Sequence, residues 1–209
     1  MIRLHVIDRS NRDRHAGLLR QHEALRRRLA LRRRWSFAAL AEDEGAAGVD
    51  LVALAPGGEV AGGTRLRPTE GPTLLGDVCP HLADMRGVAR GPAVWEWTHF
   101  DVSPRFGGDG RRCPVSAVLA VGLVEHCLAR GIARLNVVAE ACRVPVAADL
   151  GWQPRPLGLP VECGGISICA FTVAMTPLAL GTTRAFYEAA EPSPWAPPLP
   201  SAARPPLHA

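Results

Sequence analysis

The residue types that do chemistry are concentrated in one short segment. In Trp95-Glu96-Trp97-Thr98-His99-Phe100 a carboxylate, a hydroxyl and an imidazole are interleaved with aromatic rings. An ionised side chain inside an apolar aromatic run is costly unless something balances it, which singles out Glu96. A carboxylate so placed can accept a proton, directly or through one water. The bland alternative is a structural glutamate paired with an arginine. Arg65 is the second candidate: a guanidinium can grip a carboxylate through two parallel hydrogen bonds, whether that carboxylate belongs to a substrate or to Glu96.

These residues need elements to hold them. Val94 to Val102 is rich in aromatic and β-branched residues and predicts a central strand. In a regular strand Trp97 points away from Glu96, toward a core. Residues 2–7 predict a first strand and 12–34 a helix, with Leu18, Leu19, Leu25 and Leu29 near one face. Val49 to Ala55, the turn Pro56-Gly57-Gly58 and Glu59 to Arg67 predict a hairpin that carries Arg65 on its second arm. Pro68 to Pro92 is broken by Gly and Pro and predicts an irregular crossing with short helical turns. Pro114 opens a helix to about Arg130, apolar nearly all round and therefore buried, with Gly131 at its C-cap. Leu135 to Ala139 predicts a strand, Arg143 to Leu150 a helix, and Ile166 to Met175 a last long strand. This order predicts an α/β fold, a mixed central sheet with helices on both faces.

The chain has 209 residues, 47% hydrophobic and 21% charged, which suits one domain with a packed core. We expect that domain over residues 1–188 and a Pro-rich, disordered or extended tail over 189–209. No run of about 18 apolar residues and no secretory leader is evident, so a cytoplasmic protein without a membrane span is expected. The six cysteines show no metal-ligand spacing; we expect free, mostly buried thiols and no metal. The net charge of +4 owes much to Arg26-Arg27-Arg28 and Arg32-Arg33-Arg34. Without interleaved aromatics this reads as a solvated helix face, and no nucleic-acid partner is expected.

Three stretches together resemble the acyl-homoserine-lactone synthases, the bacterial autoinducer synthases. They are Val60-Ala61-Gly62-Gly63-Thr64-Arg65-Leu66-Arg67-Pro68-Thr69 with Gly71-Pro72-Thr73-Leu74-Leu75, the Trp95–Phe100 segment, and Asp149-Leu150-Gly151-Trp152 with Pro156-Leu157-Gly158-Leu159-Pro160. The opening His5-Val6-Ile7-Asp8 and Leu25-Arg26 ahead of Trp35 agree more loosely. The resemblance spans about residues 1 to 180, and its Trp-Glu-Trp-Thr and Leu-Gly-Leu-Pro forms look like the branch that uses acyl-CoA. It implies an N-acetyltransferase-like fold and an acyltransferase of quorum sensing. Its substrates would be S-adenosylmethionine and an acyl thioester on coenzyme A or acyl carrier protein, with no cofactor. The amine of S-adenosylmethionine attacks the thioester, and its carboxylate then displaces methylthioadenosine to close the lactone.

On that reading Glu96 takes the amine proton and Thr98 offers a hydroxyl to the reacting centre. Arg26 and Trp35 help build the S-adenosylmethionine pocket, Trp35 presenting a π face to the sulfonium. Arg65, His99, Phe100 and Val138 complete the binding set, Phe100 and Val138 against the acyl chain. Core packing explains Trp35 and Val138 equally well, and a surface charge explains Arg26.

The sequence departs from the family pattern on the S-adenosylmethionine side. His99 stands where the family normally has Arg, and a histidine is mostly neutral near pH 7, so the charge balance around Glu96 changes. Only Glu42-Asp43-Glu44 represents the family's acidic run. Two alternatives are a degenerate member without catalysis and a general N-acetyltransferase. The latter would use Gly107-Gly108-Asp109-Gly110 with Arg111 and Arg112 as a phosphate loop, although that segment lacks the usual motif.

Overall fold

The computed structural model describes residues 1–30, 48–107 and 113–189. Trp35, the acidic run at 42–44, the candidate phosphate loop at 108–112 and the expected tail from 190 on lie outside the described residues. The chain runs β1 (Arg3–Ile7), α1 (Ala16–Ala30), β2 (Val49–Leu54), β3 (Val60–Pro68), β4 (Val94–Val102), α2 (Pro114–Ala129), β5 (Arg134–Glu140), α3 (Arg143–Asp149), β6 (Arg155–Pro156), β7 (Val161–Cys163), β8 (Ile166–Ala174) and α4 (Pro177–Phe186). The strands form one mixed sheet in the order β1-β2-β3-β4-β5-β8-β6, with β7 also on β8. Every pairing is antiparallel except the parallel β4–β5 contact.

Period-2 alternation splits the sheet into two faces. Leu51, Ala53, Leu66, Leu135, Val137, Phe171 and Val173 share one apolar core with Leu119, Leu123 and Val124 of α2 and Ala179 of α4. This explains why α2 is apolar all round: sheet and α4 cover it on different sides. On the other face Ile7, Val52 and Leu54 pack with Leu18 and Leu19 of α1. Farther along that face Leu75, Cys79 and Leu82 of the crossing cover Ile168 and Ala170 of β8 and the half-buried Val138. Helices thus lie on both faces, as expected.

The crossing contains one π-helical turn, Leu74–Val78, and one 3-10 turn, Pro80–Ala83. Four elements differ from expectation. Helix α1 begins at Ala16 rather than near 12, because residues 9–15 form turns tied back to β1: Asp8 N–H donates to Asn11 Oδ1 (2.9 Å) and Asn11 Nδ2 to the Val6 carbonyl (3.0 Å). Helix α4 follows the last strand, over residues to which no element was assigned. Thr176 caps it, accepting from Ala179 N–H at 3.0 Å, and Pro177 opens it. The short β6 and β7 exist only through pairing with β8.

Candidate active site

Strand β4 departs from regularity at one residue. Between Thr98, opposite Arg65, and Phe100, opposite Thr64, His99 is an extra residue with no partner in the ladder. Its φ is +57°, a region costly for a residue with a side chain. Two bonds from the buried Thr64 hold this bulge: its hydroxyl donates to the His99 carbonyl and accepts from Trp97 Nε1–H, both at 2.5 Å.

The bulge reverses the alternation. Glu96 and Thr98 belong to the α1 face. Phe100 returns to the α2 face, where its ring meets Trp97 edge-on at 5.8 Å, and Trp97 meets Trp152 at 5.4 Å. Trp97 is therefore core, as expected. Phe100 is on the opposite face from Glu96 and Thr98, a separation that simple alternation does not foresee.

The same place opens the sheet. Strands β4 and β5 pair only from Val94–Arg134 to Trp97–Val137. Beyond that point β4 continues with β3 to Val102 and β5 continues with β8 to Glu140. Thr98, His99, Val138 and Ala139 flank the gap and are all half-buried. Strands that part in this way leave ladder N–H and C=O groups available to an extended ligand.

Charged side chains gather on the α1 face. Glu96, 1% exposed, accepts the backbone N–H of Leu74 at 2.7 Å and of Leu75 at 2.8 Å, one on each oxygen. Burial raises its pKa, and the two amides and neighbouring Arg67, its cross-strand partner, only partly offset that rise. Arg65 is 4.0 Å from Asp50, which Arg12 approaches at 3.4 Å. Burial raises Asp50 too, against the pull of Arg65 and Arg12. Arg26, on α1, reaches His99: Nη2 to Nε2 is 2.9 Å. Burial works against the Arg26 charge, while Asp101 and Asp50 favour it.

Glu96, Thr98, Arg26, Arg65 and His99 thus share a face, and Val138 flanks the gap beside them. Glu96 is already engaged in this arrangement. Both of its oxygens hold the first amides of the π-helical turn, and a proton placed there would weaken two charge-assisted bonds. Sequence reasoning also missed His22. It is 2% exposed on α1 above Gly63, where a Cβ would collide with the imidazole. Burial, then Arg26 and Arg65, push His22 down to about 4. The Gly62-Gly63 pair in β3 was the available signal, since a glycine inside a strand often marks a close approach.

No family model matches the chain. It is 32% identical over 164 residues to the isovaleryl-homoserine lactone synthase of Bradyrhizobium diazoefficiens, covering 75% of this chain and 73% of that protein. The chain belongs to the acyl-homoserine-lactone synthase family. It is an acyltransferase of autoinducer synthesis. Among solved structures, BjaI, a CoA-dependent acyl-homoserine lactone synthase with SAM and isopentyl-CoA, matches with a TM-score of 0.81 and 29% identity over 91% of this synthase and 92% of BjaI. A putative N-acetyltransferase from Lactobacillus plantarum shares the fold alone: TM-score 0.56, 14% identity, 83% and 99% covered. The N-acetyltransferase-like architecture expected for the synthase is therefore the one observed. No helix among its described residues is long and apolar enough to cross a membrane.

Proposed function

We propose that residues 1–188 form one synthase domain that joins S-adenosylmethionine to an acyl group carried by coenzyme A. The observation behind this reading is the pairing of a charged α1 face with a gap between β4 and β5. An α-amino acid with a cationic sulfonium needs both charge signs nearby, and the face supplies Arg26 and Arg65 beside Asp50, Glu96 and Asp101. A thioester needs an extended slot between strands, and the gap where the β4–β5 ladder ends after Trp97 and Val137 supplies one.

Each residue takes a role in this reading. Arg26 binds the carboxylate of S-adenosylmethionine, and Arg65 fixes Asp50 and the local field. Glu96 is the fixed anion of the face and anchors the Leu74–Leu75 amides, which holds the crossing over the sheet. Thr98 offers its hydroxyl at the mouth of the gap. Val138 lines the acyl group from the α1 side and Phe100 from the α2 side, so the acyl chain passes through the opening rather than along one face. Trp35 contributes a ring to the sulfonium. The family relation favours a coenzyme A thioester; acyl carrier protein is the donor the assay must separate from it.

The test is expression in a bacterium that makes no such lactone, with mass spectrometry of the spent medium. The expected result is an ion series with the homoserine-lactone fragment, whose parent mass gives the acyl group. Purified protein supplied with matched acyl-CoA and acyl-carrier-protein donors should then prefer the former. No lactone across both donor classes would overturn the reading.

A further inference from the structure

The contact between Arg26 and His99 fixes more than a position. A guanidinium has only donors, so His99 Nε2, 2.9 Å from Arg26 Nη2, must be the lone-pair nitrogen. His99 is thus a neutral imidazole with its proton on Nδ1. Arg26 itself is incompletely satisfied: its buried Nε–H finds no partner among the described residues. Nε and Nη2 form one edge of the planar guanidinium, an edge that grips a carboxylate through two parallel bonds. One donor of that edge rests on His99 and the other awaits an acceptor.

On the reading above, that acceptor is the carboxylate of S-adenosylmethionine. In an α-amino acid the ammonium is bonded to the carbon that bears the carboxylate. A carboxylate on the Arg26 edge therefore brings the ammonium into the first layer of atoms around the guanidinium, where His99 already sits. We propose that the incoming carboxylate displaces His99 from Nη2 and that the freed Nε2 lone pair takes the proton of the attacking amine. His99 is then a catalytic residue of this synthase, in place of the Arg that the family resemblance leads one to expect.

The step balances. The ammonium gives one proton to His99 Nε2, which becomes imidazolium. The amine nitrogen forms a bond to the thioester carbonyl carbon, and the carbon–sulfur bond breaks. The second amine proton leaves with the departing thiolate, giving free thiol and an amide. Lactone closure expels neutral methylthioadenosine, and imidazolium returns its proton to water.

Among the described residues, the other ionisable groups near Arg26 are less suited. On α1, Glu23 lies one turn before Arg27 and is bonded to it, and His22 is pushed down to about 4. Asp50 of β2 is held by Arg12 and Arg65. From β3, Arg65 and Arg67 bring only positive charge. From β4, Glu96 is committed to two amides and Asp101 supports the charge on Arg26. A neutral imidazole next to that guanidinium remains.

The purified full chain, assayed with S-adenosylmethionine and its preferred acyl-CoA, tests the assignment through His99→Gln. A glutamine carbonyl can accept from Arg26 but cannot take the proton. S-adenosylmethionine affinity, measured by calorimetry, should change by less than about fivefold, while kcat at pH 7 falls roughly 100-fold, within the range of general-base contributions. The variant's log kcat should then climb about one unit per pH unit as free amine replaces the missing base, and added imidazole should restore rate. An unchanged kcat and pH profile, or a loss confined to KM, overturns the proposal. If His99→Gln does not fold, His99→Asn carries the same expectations. A wild-type protein that makes no lactone sinks the functional reading and this assignment with it; an active wild type with an indifferent His99→Gln sinks only the assignment.

Discussion

The two faces of β4 are built on opposite principles. Toward α2 and α4, Trp95, Trp97, Phe100 and Val102 pack on a continuous apolar core with Trp152 and Phe171. Toward α1, Glu96 and Asp101 are buried and charged: Arg67 lies across from Glu96, while Arg26 is drawn by Asp101 and Asp50, and Asp50 in turn lies beside Arg65. The first face gains stability from burial. The second carries desolvated charge, a cost that is offset only by partners or by a ligand. His99 joins the two: its carbonyl is tied through Thr64 to the apolar side, and its imidazole is tied to Arg26 on the charged side. The lesson is that stability and chemistry here should be separable by substitution, except at that junction.

The largest expected effect is on the apolar face. Trp152 is 1% exposed and donates Nε1–H to Thr183 at 2.8 Å. Trp152→Ala should cost about 3–5 kcal/mol, read as a lower urea midpoint. The comparison would break if this variant stayed as stable as wild type. Next comes the junction. Thr64→Val keeps shape but removes both bonds that hold the bulge, and should cost about 1–3 kcal/mol. Unlike a purely apolar lesion, it should also lower kcat/KM in the fraction that remains folded, because His99 loses its fixed place.

Two buried histidines sharpen the contrast by pH. His22 on the charged face and His126 in α2 are both pushed down to about 4, in each case chiefly by burial. Above the ordinary value of 6.5 both folded and unfolded chains carry them neutral, and nothing is lost. As pH falls below it, the unfolded chain gains protons that the folded chain refuses, so stability declines until about 4, where the folded residues also titrate. Neither ring nitrogen of His126 has a partner among the described residues. His126→Leu should therefore flatten part of the acid decline in melting temperature while leaving lactone synthesis intact. Loss of activity in that variant would contradict the separation. The smallest effect is expected at the exposed Arg105–Glu59 pair, 3.0 Å apart: Glu59→Ala should change stability by less than about 1 kcal/mol.

The apolar face was largely legible from residue pattern. The bounds of β4, the all-round apolar α2 and the glycine just past its Arg130 cap, Gly131 with φ at +69°, follow from local composition. Helix α4 also carried its signal in Thr176-Pro177, but at ten residues it is too short for its apolar spacing to stand out, and no element was assigned there. Strands β6 and β7 could not be read, because two or three residues become a strand only when β8 is beside them. The site was legible as a set of residues and not as an arrangement. Glu96, Arg26, Arg65, Thr98 and His99 were candidates by type, and only the fold shows that they share a face. The amides that occupy Glu96 belong to a crossing some 20 residues earlier in the chain, and the bulge that turns Phe100 away depends on a one-residue mismatch with β3, which period-2 reading cannot detect.

Whether the charged α1 face performs the chemistry is decided by comparing purified wild type with Arg26→Ala in one assay of S-adenosylmethionine and acyl-CoA. Acyl-homoserine lactone, methylthioadenosine and free thiol are followed together by mass spectrometry. Wild type should release all three in equal amounts, and Arg26→Ala should lose at least about 100-fold with its fold intact by circular dichroism. Lactone formation at the wild-type rate by Arg26→Ala would contradict a chemical role for that face.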